Sequence, residues 1–215
     1  MSEENFGRER EKMIERQIIY RGIDDERIIS SFRQVPRHEF VPPGNEKKAY
    51  SDRPLPIGEE QTISQPYIVA YMLDKLGLTE SDSVLEVGSG CGYVLALLDH
   101  LCDSVYGIER KSSLVEMSRE NLEKLGYDGI EVKHGDGSRG WPEKAPFDGI
   151  IVSAAAAGVP RELKDQLNIP GSMIIPVGEE MFHQQLILIK KKGEEDYLRQ
   201  RLEPVRFVPL LEGTE

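Results

Sequence analysis

Cysteine is scarce in this chain of 215 residues: only Cys91 and Cys102 occur. Two thiols in no metal-ligand spacing exclude a disulfide framework and fit a reducing compartment. The four histidines (His38, His100, His134 and His183) form no H-x-x-x-H or related cluster, so no metal is expected. Long apolar runs are also missing, and none approaches the ~20 residues of a bilayer-spanning helix. The opening stretch "MSEENFGREREKMIERQ" is charged throughout and has no apolar signal-peptide core, so a cytoplasmic protein is expected. Basic charge is in deficit: 27 Lys and Arg stand against 38 Asp and Glu, for a net charge of -11. Sequence-independent binding to nucleic acid or to an anionic membrane needs a basic surface, so neither is an expected partner.

What is present is a change of rhythm near residue 80. Before it the period is helical. In "REKMIERQIIYRG", Met13, Ile14, Ile18 and Ile19 recur at helical spacing and Gly22 is a stop. "DDERIISSFRQVP" repeats the pattern, with acidic residues leading, Ile28, Ile29, Phe32 and Val35 on one face, and Pro36 past the end. From Pro36 to Ser64 no period is sustained and prolines and glycines are frequent, which predicts a long ordered loop or irregular arm. "PYIVAYMLDKLG" then predicts a helix that buries Ile68, Val69, Met72, Leu73 and Leu76. Beyond residue 80, "SVLEVG", "SVYGIE", "IEVKHGDG", "FDGIIVSAA" and "SMIIPVG" read as strands, separated by helices at "YVLALLDHL", "SSLVEMSRENLEKLG" and "VPRELKDQLN". "QQLILIKKK" and "YLRQRLEPVRFVPL" read as a closing strand pair about the polar turn "GEED". Repeated strand–helix units predict an α/β fold with a doubly wound, mostly parallel sheet, and the C-terminal hairpin predicts an antiparallel edge.

"VLEVGSGCGY" sets Gly88, Gly90 and Gly92 between the first of these strands and a helix. Glycines there let the chain turn tightly and let a ligand approach the backbone, beside the free N–H groups of a helix N-terminus. The run is G-x-G-x-G, not the G-x-G-x-x-G of dinucleotide enzymes, which disfavours a nicotinamide-dependent oxidoreductase. Glu109 ends the next strand, about 20 residues on, where a ribose-binding carboxylate is expected. Glu86, inside the first strand, could face a cationic ligand such as the ammonium or sulfonium of S-adenosylmethionine. Asp136 in "HGDG" could accept from an adenine amino group, although Asp and Gly also favour plain turns. Three acidic strand ends would then converge where open α/β sheets bind ligands. A tight turn that binds nothing is the bland alternative.

With these motifs in hand, the chain resembles the protein-L-isoaspartate (D-aspartate) O-methyltransferases. The matching stretches are "VPRHEFVP", "AYSDRPLPIGEEQTISQPYIVAYM", "VLEVGSGCGY", "GDGSRGWPEKAPFDGIIVSAAA" and "RLEPVRFVPL", in family order over nearly the whole chain. The resemblance implies a Rossmann-like, S-adenosylmethionine-dependent methyltransferase sheet with added N-terminal helices. It implies residues 1–80 carrying those helices and a substrate loop, packed as one compact unit on a cofactor-binding core at 81–215. The implied activity is methyl transfer from S-adenosylmethionine to the free carboxylate of L-isoaspartyl residues in damaged proteins, leaving S-adenosylhomocysteine. The ester then closes to a succinimide that reopens partly to aspartate. Carried over by position, Glu86, Gly88, Ser89, Gly90, Glu109, Arg110, Asp136 and Gly137 would line the cofactor site. Ser64 would be the active-site serine, with Thr62 and Ile63 beside it against the substrate. Isoaspartyl proteins and peptides would be the partners of a monomer. Cys91, the "VLALL" after Tyr93, and Tyr67 in place of a histidine depart from the family pattern.

Local sequence leaves Ser64 two roles. Serine is a favoured N-cap and Pro66 suits the first helical turn, so it could cap the helix that follows. It could equally donate to a substrate carboxylate, because such a carboxylate is already an anionic nucleophile and needs alignment more than a base. Among other residues, Lys190, Lys191 and Lys192 read as a solvated strand end and Trp141 as a packing anchor near the cofactor turn. His134 and His183 read as structural or exposed. Ala154 to Gly158 would allow close ligand approach, and Gln184 and Gln185 could hydrogen-bond a peptide backbone.

Overall fold

The computed structural model describes residues 2–178 and 183–215. Helix α1 (Glu3–Met13) buries Phe6 and Met13, then passes through a wide turn at Ile14–Ile18 and a tight one at Ile19–Arg21. It stops at Gly22, whose φ of 87° suits glycine. Helix α2 (Glu26–Gln34) starts where the Asp25 carboxylate accepts from the Arg27 and Ile28 N–H groups, and buries Ile28, Ile29 and Phe32.

The stretch from 37 to 54 is irregular as expected, with short 3-10 turns at Arg37–Phe40 and Glu46–Lys48. A hairpin follows that the sequence did not announce: β1 (Leu55–Gly58) pairs antiparallel with β2 (Gln61–Ile63). It escaped notice because Pro56 sits inside a four-residue strand. Its turn, moreover, is Glu59–Glu60, both at positive φ, in place of the usual Asn-Gly signal. Helix α3 (Pro66–Leu76) ends at Gly77.

The alternating half runs β3 (Ser83–Val87), α4 (Tyr93–Asp99), β4 (Ser104–Glu109), α5 (Ser112–Lys124), β5 (Glu131–His134), β6 (Phe147–Val152), α6 (Arg161–Asp165), β7 (Leu167–Val177), β8 (Gln184–Lys191) and β9 (Tyr197–Val205). These strands form one sheet in the order β5-β4-β3-β6-β7-β8-β9. The first five are parallel, and β8 pairs antiparallel with β7 and β9. The predicted α/β sheet with an antiparallel hairpin edge is therefore what the chain adopts. Strand direction along the order reverses its sense of winding between β3 and β6, and ligands bind open α/β sheets at that switch point.

The pleat sends alternate residues to two cores. Val84, Ile151, Ile174 and Leu186 face the N-terminal helices and α3 to α5; Leu85, Ile150, Met173 and Ile187 face Trp141, Phe147 and Leu163. Two element ends differ from expectation. β7 begins at Leu167, five residues before "SMIIPVG", because α6 is only one turn long and the strand takes up the remainder. β9 ends at Val205, which pairs with Gln184, and the chain leaves the sheet after it, where the Gln184 side chain captures the Phe207 backbone. Lys191 also corrects the reading of 190–192 as solvated. It is buried, and its ammonium donates to the Leu167 carbonyl at 2.9 Å, while Lys190 and Lys192 are exposed. Among the described residues, no helix is long and apolar enough to cross a membrane, and no group of three His, Cys, Asp or Glu could hold a metal.

Candidate active site

The carboxyl ends of β3 and β6 meet at the switch point: the Ser153 N–H donates to the Val87 carbonyl at 2.8 Å. Because Glu86 is two residues from Val84, it faces the same side of the sheet and is itself 1% exposed. Its Oε1 accepts from the Ser153 hydroxyl at 2.8 Å, while Oε2 is buried without a partner. Burial pushes this carboxyl up to about 8 against the lowering effect of the Ser153 bond, and the Glu109 charge adds to the rise.

Gly88 and Gly90 follow at φ 80° and 53°, a conformation that frees their backbone for the approach of a ligand. Ser89 is buried with its hydroxyl unpartnered. Glu109, at the end of β4, binds back onto the turn. One oxygen accepts from the Gly90 N–H at 3.0 Å and the other from the N–H groups of Arg110 and Lys111. Asp136 follows β5 and accepts from the N–H and hydroxyl of Ser138 and from the Gly213 N–H. Gly137 is packed so closely that a Cβ would lie 2.7 Å from a Val87 methyl.

Three neighbouring cavities share walls around Glu86, the glycine turn, Glu109 and Gly137, while Asp136 borders a separate, more open cavity with Gly135, Arg139 and Gly213. The first has about 580 Å³ of empty space, open mouth included, and is bounded by Gly88, Gly90, Glu109, Arg110, Gly137 and the tail segment Val208–Leu211. The second, a groove of about 1220 Å³, is bounded by Ser64, Gln65, Ile68 and residues 204–208. A small cavity of about 290 Å³ lies between them, with Ser64 on one side and Glu86, Ser89 and Tyr93 on the other. Thr62 and Ser153 border all three. The β pleat explains the neighbouring contrast, since Thr62 is exposed while Ile63 points into the core opposite Leu55.

Ser64 does not cap the helix that follows it. Gln65 occupies the N-cap of α3, no side chain bonds there, and Pro66 takes the first helical position. A serine cap would need to precede the first helical residue directly, and Ser64 lies one residue too early. Gln184 and Gln185 do hydrogen-bond backbone, but the protein's own, at Phe207 and Leu202. Trp141 packs edge-on against Tyr106 in the core of the opposite sheet face. His183 is exposed, as is His134, whose Nε2 lies 2.9 Å from the Arg110 carbonyl. Sequence reasoning missed Ser153, Arg37 and the tail. Ser153 and the tail lie inside stretches that signalled the family but carried no separate chemical cue. Arg37 sits in "VPRHEFVP", which also signalled the family and otherwise read as part of the irregular arm.

This sheet order, with a glycine turn and acidic strand ends at its switch point and a groove beside them, defines a Rossmann-like S-adenosylmethionine-dependent methyltransferase. The model of the family described as "Protein-L-isoaspartate(D-aspartate) O-methyltransferase (PCMT)" matches residues 8–215. A Pelobacter propionicus protein named protein-L-isoaspartate O-methyltransferase 2 is 50% identical over 94% of this chain and 90% of its own length. A Plasmodium falciparum structure, titled a putative protein-L-isoaspartate O-methyltransferase in complex with S-adenosyl-L-homocysteine, is 30% identical with a TM-score of 0.80, over 96% of this chain and 98% of that one. Another solved protein-L-isoaspartate O-methyltransferase is 30% identical with a TM-score of 0.84 over 93% of this chain, which spans 65% of that longer protein. The chain belongs to the protein-L-isoaspartate (D-aspartate) O-methyltransferase family.

Proposed function

We propose that this protein transfers the methyl group of S-adenosylmethionine to the free carboxylate of L-isoaspartyl residues in damaged proteins. The observation that carries the reading is the meeting of the cavity at the glycine turn and the groove beside Ser64 at Thr62, Ser153 and the small cavity. The residues fit the cofactor. Glu86 Oε2 and the Ser89 hydroxyl are buried acceptors without partners, suited to a cationic amino-acid end. Glu109, already an acceptor of backbone N–H groups, suits a ribose diol; Arg110 and Gly137 border the same cavity and, with Asp136 next to Gly137 in the chain, suit its adenine end. S-adenosylmethionine, when bound, supplies a methyl group already activated on sulfonium.

The protein's task is then alignment and exclusion of water. Thr62 and Ser64 form the substrate wall, with Ile63 anchoring it from the core, and Ser64 donates to the carboxylate and aims one oxygen. The N-terminus of α3, which no side chain caps, adds a favourable end for an anion beside it. No general base is required, because the nucleophilic carboxylate carries no proton at neutral pH. The neutral ester closes to a succinimide away from the enzyme's help, and hydrolysis returns part of it to aspartate. Residues 1–80 supply one wall of the groove and residues 204–208 the other, with residues 81–215 supplying most of the cofactor side. A cytoplasmic monomer with isoaspartyl proteins as its partners, and with neither nucleic acid nor membrane among them, completes the reading; the net charge of -11 supports it.

Labelled S-adenosylmethionine offered with two otherwise identical peptides, one L-isoaspartyl and one L-aspartyl, tests the proposal. Label should enter the isoaspartyl peptide alone and leave later as methanol; label in neither peptide, with cofactor bound, overturns it. Ser64→Ala should keep S-adenosylhomocysteine affinity within about twofold and lower kcat by roughly 10- to 100-fold, the loss of one aligned hydrogen bond in the transition state.

A further inference from the structure

We propose that Arg37 is a positioning residue for the substrate loop, gripping Ser64 by its backbone and backing it with a positive charge that draws in an anionic carboxylate. The proposal rests on the carboxyl-methylation reading given above. Arg37 is 0% exposed. Its Nε donates to the Ala49 carbonyl and its Nη2 to the Ser64 carbonyl, each at 2.7 Å. The guanidinium carbon lies 4.9 Å from the centre of the Tyr93 ring, and both Arg37 Nη1 and the Tyr93 hydroxyl are buried without partners. Arg37 takes part in none of the ion pairs among the described residues.

A buried cation without a counter-ion destabilises the fold, and an apolar side chain would fill the same space at lower cost. Two carbonyl acceptors alone would also be served by a neutral donor. The charge is what needs a reason, and the residue it holds, Ser64, borders the groove and the small cavity where the substrate carboxylate would sit. Tyr93, the ring beneath the guanidinium, borders that same small cavity. Nothing nearby neutralises the charge. The titratable groups facing it are Tyr93 from α4, Cys91 from the glycine turn and Tyr50 from the arm. Burial pushes Cys91 up to about 11 and Tyr50 up to about 12, and raises Tyr93 as well, so all three stay neutral between pH 6 and 9. His38, the next residue, is turned away to the Tyr50 hydroxyl at 2.8 Å.

The chemistry sets where the charge acts. The carboxylate keeps much of its charge until the methyl bond is well formed, so the positive charge holds bound substrate and transition state to a similar degree and its loss shows in KM more than in kcat. It also releases its hold on the neutral product.

The test uses the full-length protein, an L-isoaspartyl peptide and S-adenosylhomocysteine. Arg37→Met should raise KM for the peptide about tenfold while kcat falls less than about threefold and S-adenosylhomocysteine affinity stays within about twofold. Arg37→Lys keeps a charge that burial makes titratable in the working range. Its KM should be within about threefold of wild type at pH 6.5 and rise roughly tenfold by pH 9, with wild type nearly flat. An unchanged KM in folded Arg37→Met overturns the proposal, as does an Arg37→Lys KM that is raised equally at every pH, the result expected of lost packing alone. Should Arg37→Met not fold, the Arg37→Lys pH profile decides. Wild type inactive on the isoaspartyl peptide would instead overturn the carboxyl-methylation reading itself.

Discussion

Single residues in this site are set by burial as much as by identity. Glu86 reads in the sequence as one more acidic residue in an apolar strand; its near-complete burial and unpartnered oxygen come from the sheet and from Ser153, which is 67 positions away. Burial holds its carboxyl near 8 in the folded protein, against an ordinary value near 4.5 when unfolded. The folded state therefore binds the extra proton between those values. The stability this group contributes is complete below about pH 4.5 and is lost as pH rises through 8. Glu86→Gln removes that loss. In the cofactor-free protein its melting temperature should match wild type at pH 5 and exceed it by roughly 2–6 °C at pH 8.5, read by thermal unfolding across pH. A difference that does not grow with pH contradicts the assignment. Lys191 teaches the opposite lesson. Within "KKK" it is indistinguishable from its neighbours, yet the pleat alone turns it inward to the Leu167 carbonyl while they remain in water.

At the scale of elements, strand–turn–helix units were legible because periodicity and glycine placement are local signals. The turn after β3 is the clearest: Gly92 sits at φ 88° just before α4, and a Cβ there would lie 2.7 Å from the Ser118 hydroxyl of α5. Gly92→Ala should destabilise the protein by about 1–3 kcal/mol, the cost of a strained backbone plus displacement of α5, read as a lower denaturant midpoint at unchanged slope. The β1–β2 hairpin and the end of β9 were not legible. The first is short, interrupted by Pro56, and held by partners rather than by its turn. The second ends because Gln184, on another strand, captures the Phe207 backbone. Ser64 belongs to the same class, since one residue of helix phase decides between cap and cavity wall, and boundaries are the least local feature of a helix.

Over the whole molecule, one hydrophobic core runs from Phe6 in α1 through Ile63 in β2 and Leu97 in α4 to Phe207 in the tail. Phe32 of α2 and Phe40 of the arm both meet the ring of Tyr93, at 6.3 and 5.5 Å between centroids. The N-terminal helices and the arm thus share one packing with the helix that follows the glycine turn. Thermal unfolding of the cofactor-free protein should be a single transition with calorimetric and van't Hoff enthalpies in agreement, and the fragment 81–215 should not fold alone. Two resolved transitions would show separable units. The α/β class, the glycine turn and the acidic strand ends were legible along the chain because each rests on short runs whose spacing is set by local backbone geometry, and the family was legible through the stretches that resemble it. Folding was needed to place Ser64 on a cavity instead of a helix cap, to bury Glu86 against Ser153, and to set Arg37 without a counter-ion behind Ser64. Those facts depend on desolvation and on contacts between residues 27 to 67 positions apart, which no local pattern encodes.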